Sequence, residues 1–470
     1  MIPVPGFEGR RVAVFGLGRS GITAARALQA GGAQPVLWDD GVSGRMQAEA
    51  EGFDVEDLTV ADWTRFDALV LSPGAPLTHP KPHWTVEKAH EAGIPVIGDI
   101  ELFARALDAL PQGQRPRVVA ITGTNGKSTT TALIAFVLKQ AGLTVHMGGN
   151  IGIGVLALPH PTPDAVYVIE VSSYQLDLTT RFAPDVAILT NISPDHLDRH
   201  GGMEGYVKAK SRIFQAQSPD ASALIGVDED WGRGLADALE AKGETVTRIA
   251  TARHEGDLPV QGWRAAPGLL LADNARIDLT EARSLPGRHN AQNAAFAYAT
   301  ALALGLSPEQ ALDGLKTFPG LAHRMEAVGR IASDGGEVRF INDSKGTNAD
   351  AAYQALASYL KVFWIAGGKA KDGGIEPLRP LFGHIAKAYL IGEAAEAFAV
   401  TLGAVPHVVA NTMDRAVQMA AEDAAAAGGD QVVLLSPACA SFDQFPDFEV
   451  RGEAFRAAVL ALGAVAEAAV

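Results

Sequence analysis

The residues best placed to do chemistry lie in positions 118–131, VVAITGTNGKSTTT. An apolar run, 118–121, stops at Thr122 and Gly123, and small hydroxyl residues then open a second apolar segment, 132–140, a pattern that predicts strand, loop and buried helix. In such a loop Gly123, Thr124, Asn125 and Gly126 turn backbone N–H groups toward an anion at a helix N-terminus. Lys127 supplies a movable positive charge, Ser128 a hydroxyl for magnesium, and Thr129 a further hydroxyl. Ile121 stands where the common phosphate-loop pattern has its first glycine, and the competing reading is a glycine turn with an incidental lysine.

A second glycine loop precedes it. Residues 11–18, RVAVFGLG, read as a strand ending in Gly16-Leu17-Gly18-Arg19-Ser20-Gly21, followed by a helical pattern over 22–30 and a strand over 35–38 that ends at Asp39 and Asp40. That is the spacing of a dinucleotide fingerprint. The glycines, however, report only that a diphosphate can approach a helix terminus, and a UDP-linked substrate carries one too. The strand 68–71 runs into Ser72-Pro73-Gly74-Ala75-Pro76, either a turn facing the same ligand or a plain surface turn.

Further polar residues fall at predicted strand ends. Asn150 lies in GGNIG, and AVYVIEV (165–171) carries Glu170 into Ser172-Ser173-Tyr174-Gln175, where a carboxylate suits magnesium or is simply a satisfied buried group. His196 and His200, four apart in NISPDHLDRH, suggest a zinc helix only weakly, since the glutamate of HExxH is missing. His196 fits a second magnesium ligand or a group orienting a substrate carboxylate equally well. By composition Lys208 and Lys210 are ordinary surface lysines of a helix. Asn290, ahead of an alanine-rich helix over 294–304, either reads an adenine edge or caps the helix. Three later strands, 338–342, 362–366 and 431–435, run into NDSKGTN, GGKAKD and SPACASFDQF, polar ends on one side of a doubly wound sheet.

Positioning these groups calls for an α/β protein. With 470 residues a length prior gives about three domains. We expect a Rossmann-like N-terminal domain (1–113), a central P-loop ATPase-like domain with a parallel sheet covered by helices on both faces (114–320), and a Rossmann-like C-terminal domain (321–470). Residues 228–284 read as irregular, with short strand-like pieces at 245–249 and 268–271 and little chemistry. Net charge of −15, from 39 basic and 54 acidic side chains, argues against nucleic acid and anionic membranes as partners. A single cysteine, Cys439, suits a reducing compartment, and no apolar signal core or membrane-length run is seen, so a cytoplasmic protein is expected; separately, the expectation is a monomer.

Two diphosphate cradles, candidate magnesium ligands and a separate third domain suit a ligase that activates a carboxylate with ATP and joins it to an amine. The motifs GTNGKST, VIEVSSYQL, DHLDRH, YVKAK, GRHNAQNA, AHRME, NDSKGTN and LSPACASFDQF resemble those of the Mur ligase superfamily. The last, with GLGRSG, is similar to its D-glutamate-adding family. The resemblance implies ATP, two magnesium ions, UDP-N-acetylmuramoyl-L-alanine and D-glutamate. It implies catalytic roles for Lys127, His196, Lys210 and Lys371, with Lys210 carbamylated, and metal ligation by Ser128, Glu170, His196 and Lys210. Asn290, Asn293, Arg324, Asp343, Lys345 and Thr347 would join the 123–129 loop in holding ATP. Gly18, Arg19, Ser20, Asp39, Ser72, Gly74, Asn150, Gln175 and His196 would serve the UDP-linked substrate, and Lys371, Ser441 and Phe448 the D-glutamate. Closure of the C-terminal domain is expected to assemble the site. The competing functions are a superfamily ligase for another amino acid or for folate, a nicotinamide oxidoreductase, and a nonenzymatic nucleotide switch.

Overall fold

The computed structural model describes all residues except 112, 253, 258–261, 273–274, 283, 371–372 and 467–470. Its elements form three sheets flanked by helices. The first sheet holds the strands Arg11–Phe15, Gln34–Trp38, Asp54–Val55, Ala68–Leu71 and Val96–Ile97, all parallel, with Arg11–Phe15 central between Gln34–Trp38 and Ala68–Leu71. In chain order this is 3-2-1-4-5, the order of a dinucleotide-binding fold without its sixth strand. It puts the glycine loop at the topological switch point, where the carboxyl ends of strands open a crevice.

In the nine-stranded second sheet, Arg117–Thr122 lies between Ala165–Glu170 and Val186–Leu189, paired parallel to both. Because the three strands run the same way, the loops that follow them emerge side by side. Registers pair Ile121 with Glu170, Thr122 with Leu189 and Glu170 with Gly149. The strands Ala165–Glu170 and Val186–Leu189 are buried along their whole length, which is why they read as unbroken apolar runs rather than alternating ones. The third sheet mixes an antiparallel pair, Glu326–Ser333 with Gly336–Asn342, with parallel strands including Val362–Gly367 and Gln431–Leu435.

By compactness the chain divides into two units. One comprises Met1–Ala265, Leu269–Ile277 and Gln292–Leu315; the other Ala266–Gly268, Asp278–Ala291 and Lys316–Val470. The first two sheets therefore share a unit, and a single hydrophobic cluster runs from Val12, Val14 and Leu28 through Phe103 to Val118, Tyr167 and Leu189.

Two sequence expectations need correction here. The run 95–100 reads in the sequence as one strand, but the strand is only Val96–Ile97, and the helix Asp99–Asp108 follows with Gly98 as its N-cap. Residues 228–284 are more regular than expected: besides the strands Val246–Thr251 and Leu269–Ala272, which fall where strand-like pieces were expected, they contain the helix Asp230–Glu240 and the strands Trp263–Ala266 and Ala275–Asp278.

Candidate active site

The loop after Arg117–Thr122 is held in shape by the neighbouring strand end. Thr124 N donates to Asn191 O (3.0 Å) and Asn125 N to Asn191 Oδ1 (2.9 Å), while Thr190 Oγ1 and Asn191 Nδ2 both donate to Asn125 O. Gly123 has φ +147°, and a Cβ there would lie 1.9 Å from Thr190 Oγ1, so only glycine lets the loop lie against that strand end. Gly126, at φ +80°, precedes the helix Lys127–Gln140, and Asn293 packs beneath it, accepting from Thr130 Oγ1 at 3.0 Å. Asn293 thus braces the loop. Ser128 is buried in the first turn of the helix, while Thr129 beside it is half-buried.

Two amines converge on one carbonyl. Lys127 Nζ folds back onto Gly123 O (3.0 Å) and Thr124 O (2.8 Å), and Lys210 Nζ donates to the same Gly123 O at 2.7 Å. Lys210 is only 2% exposed, with its amine 4.6 Å above the Tyr206 ring. Burial first, then the Lys127 charge, holds this amine well below the usual lysine range, against the opposing pull of Asp195 and Glu170. Composition alone had made Lys210 a surface lysine; the structure makes it a buried amine biased toward its neutral, nucleophilic form.

Glu170, 2% exposed, accepts from Asn150 Nδ2 at 2.7 Å through Oε1, while its buried Oε2 has no hydrogen-bond partner. An orphaned carboxylate oxygen beside a phosphate loop is a natural ligand for a hard cation. His196 takes a left-handed backbone (φ +54°), half-exposed beside Asp195 (3.3 Å) and the Tyr174 ring. His200 is buried instead, its ring nitrogens engaged by Asp177 Oδ2 (3.1 Å) and Ser173 Oγ (3.0 Å), which makes it a packing residue. Among the described residues no group of three or more histidine, cysteine or acidic side chains forms a ready metal cluster.

At the first sheet, Gly16 lies against Ser72, and a Cβ on Gly21 would meet Gly16 O at 1.9 Å, so these glycines serve close packing; Gly18 faces open space at the helix N-terminus. Asp39 accepts from Leu17 N (2.6 Å) and Gly41 N (2.7 Å) and so braces the loop it was expected to serve alongside. Arg19 reaches Gly152 O (2.6 Å) on the central sheet's side. Ser72 N bonds Phe15 O, and Gly74 is exposed at the tip of that turn. Gln175 is 2% exposed and both ends of its amide are engaged: Oε1 accepts from Ser172 N, and Nε2 donates to Asp99.

In the second unit, Asp343 is buried, accepting from Ser436 Oγ (2.7 Å) and Met325 N (3.3 Å); burial pushes its carboxyl up to about 7, with Ser436, Met325, Arg324 and Arg451 pulling the other way. Lys345 Nζ sits 3.7 Å from the centre of the Phe448 ring, and Thr347 N donates to Lys345 O. Ser441 is buried and accepts from Phe445 N through its carbonyl. Asn290 lies within the helix Gly287–Ala303 and donates to Pro286 O, so it does not cap the helix. Lys371 lies outside the described residues.

Sequence reading missed Arg451. Only 1% exposed, it donates to Ser344 Oγ (3.0 Å), Ser344 O (2.7 Å) and Cys439 O (3.0 Å), tying two strand-end loops together; burial lowers it to about 10. Its place three residues after Phe448 and four before Phe455 on one helix was the available signal.

Comparison with known proteins agrees with this arrangement. Residues 121–301 match the Mur ligase middle domain. A UDP-N-acetylmuramoylalanine–D-glutamate ligase of Caulobacter vibrioides is 59% identical over 99% of this chain and 98% of its own, and one of Nitrobacter hamburgensis is 53% identical over 99% of both chains. Among solved structures, the UDP-N-acetylmuramate–alanine ligase MurC of Thermotoga maritima shares the fold at 16% identity, with a TM-score of 0.57 over 96% of this chain and 99% of its own. The chain belongs to the family of UDP-N-acetylmuramoylalanine–D-glutamate ligases.

Proposed function

We propose that this protein uses ATP to join D-glutamate to the L-alanine carboxylate of UDP-N-acetylmuramoyl-L-alanine, a step in building peptidoglycan precursors. The observation that carries the reading is the convergence of a phosphate loop, an orphaned buried carboxylate at Glu170 and a neutral-biased amine at Lys210. A carboxylate is a poor electrophile, so its oxygen first attacks the γ-phosphorus of ATP and ADP leaves. The D-glutamate amine then attacks the acyl carbonyl, loses a proton and expels phosphate.

Each residue has a task in that sequence. The N–H groups of 123–126 cradle the phosphates, and Lys127 leaves the loop carbonyls to follow the transferring phosphoryl group. Glu170 Oε2, Ser128 and His196 would hold magnesium, which would supply charge neutralisation between the two reacting anions. The neutral Lys210 amine would add to carbon dioxide and release a proton to solvent, giving a carbamate, an anionic oxygen pair beside the same site. Asn290, Asn293, Arg324, Asp343, Lys345 and Thr347 serve the nucleotide. Gly18, Arg19, Ser20, Asp39, Ser72, Gly74 and Asn150 serve the UDP-linked substrate, with Gln175 behind them as support. Lys371, Ser441 and Phe448 receive D-glutamate.

We further assign the three sheets to domains bounded at 1–113, 114–320 and 321–470, and place the protein in the cytoplasm as a monomer. Among the described residues no helix is long and apolar enough to cross a membrane. The test is phosphate release from magnesium-ATP and UDP-N-acetylmuramoyl-L-alanine with D-glutamate, L-glutamate, other amino acids or none. The proposal expects release with D-glutamate alone; release driven by another amino acid would move the specificity, and release without any would defeat the ligase reading.

A further inference from the structure

The helix Asp99–Asp108 carries two buried carboxylates onto the segment that follows strand Ala165–Glu170. Glu101 accepts from Thr180 N (2.8 Å), Arg181 N (3.0 Å) and Thr180 Oγ1 (3.0 Å), and is also paired with Arg105, so it is fully spent on docking. Asp99 differs. It is 4% exposed and forms no ion pair among the described residues. Its oxygens receive Gln175 Nε2 at 3.2 and 3.0 Å and Ile100 N at 2.9 Å, and burial pushes its carboxyl up while Gln175 and the nearby Ser20 side chain pull the other way.

Both of these side chains are tied to sites already described. Ser20 lies in the first turn of the helix that opens at Gly18, at the mouth of the N-terminal glycine loop. Gln175 closes a capping box: its Oε1 accepts from Ser172 N while Ser172 Oγ accepts from Gln175 N, which fixes the short helix two residues beyond Glu170. Since Oε1 must face Ser172 N, Nε2 must face residue 99, and residue 99 must be an acceptor.

We propose that Asp99 is a positioning residue that sets the shape of the UDP-substrate cradle, by fixing Gln175, on the central sheet's side, to the helix that follows the first sheet, close to Ser20 of the glycine loop. The inference rests on the reading that the N-terminal glycine loop binds the UDP-linked substrate. Asp99 touches no reacting atom. Its contribution is to remove freedom from the cradle before the substrate arrives.

The test is steady-state kinetics on three variants, each first checked for folding by circular dichroism and melting. Asp99→Asn places a donor against Gln175 Nε2, so KM for UDP-N-acetylmuramoyl-L-alanine should rise about tenfold, the scale of one hydrogen bond to a charged group, with kcat and the KM values for ATP and D-glutamate nearly unchanged. Combining Asp99→Asn with Gln175→Glu reverses donor and acceptor: the amide introduced at position 99 then gives to the new carboxylate at position 175, whose other oxygen keeps Ser172 N. That double variant should bring the KM back toward the parent value. An unchanged KM in Asp99→Asn, an equal rise in all three KM values, or no recovery in the double variant would each overturn the proposal. If Asp99→Asn alone fails to fold, the double variant decides by the same criterion. Gly18→Asp separates the underlying reading: its new side chain meets open space and is a good helix cap, yet it sets a carboxylate against the diphosphate. An unchanged KM there would refute the site itself, whereas a raised KM there with a normal one in Asp99→Asn refutes only the role of Asp99.

Discussion

Replacing Lys210 by alanine should separate the chemistry of this lysine from its packing. Removing the side chain does not orphan Gly123 O, because Lys127 Nζ still donates to it at 3.0 Å, and it relieves the burial of an amine that is 2% exposed. The loop should therefore persist and the melting temperature should change little, the lost methylene contacts being offset by the amine no longer held out of water. Activity should behave differently. Losing an anionic group from a dry phosphoryl-transfer site is worth about 3–4 kcal/mol, or roughly two to three orders of magnitude in kcat. The assay is phosphate release at saturating substrates, repeated with formate, acetate and propionate, which should enter the vacated space and restore part of the rate. The parent enzyme should also lose activity as pH falls through the amine's lowered pKa, since only the neutral amine takes up carbon dioxide. Between that value and 10.5 the unfolded chain binds more protons than the folded one, so the stability of the uncarbamylated protein should rise with pH. A folded Lys210→Ala protein with parental activity, or one that no short acid revives, would refute the reasoning.

Other perturbations test other parts of the account. Asp343, raised from 3.8 to about 7, stabilises the fold fully below 3.8 and loses that contribution as pH rises through about 7. Urea midpoints should accordingly fall between about pH 5.5 and about pH 8, more steeply than in Asp343→Asn, whose amide oxygen still accepts from Met325 N while its NH2 donates to Ser436 Oγ. Arg451→Met leaves the carbonyls of Ser344 and Cys439 without their donor and should lower stability by about 2–4 kcal/mol, read as a drop in melting temperature. Gly123→Ala forces a Cβ into Thr190 Oγ1, so KM for ATP should rise at least about tenfold, and a value within about twofold of the parent would show that the loop is not held as described.

What the sequence revealed follows from what each signal encodes. Strands such as 68–71 and 165–170 were legible because strands of a parallel sheet buried on both faces are continuous apolar runs, and the phosphate loop because glycine and hydroxyl residues at fixed spacing have few other uses. The helix Asp99–Asp108 was obscured because apolar residues continue past Gly98, and the need for glycine there comes from distant Leu178, 2.9 Å from where a Cβ would stand. Lys210 illustrates the deeper limit. Its spacing is that of any helical lysine, and only the meeting of Gly123, Lys127 and Tyr206 in space makes it a buried amine; the family resemblance, not the composition, marked it. Asp99 and Arg451 carried no motif, and their meaning lies in partners distant in sequence, Gln175 at a separation of 76 for Asp99 and Ser344 at 107 for Arg451.

The central claim is that a carboxylate is activated by phosphoryl transfer and captured by D-glutamate. The most direct measurement supplies UDP-N-acetylmuramoyl-L-alanine labelled with oxygen-18 in its alanine carboxylate, together with magnesium-ATP and D-glutamate, and follows both products by mass spectrometry. The account predicts a UDP product heavier by one glutamyl residue and one labelled oxygen in the released phosphate. Phosphate free of label, or no glutamyl product, would contradict it.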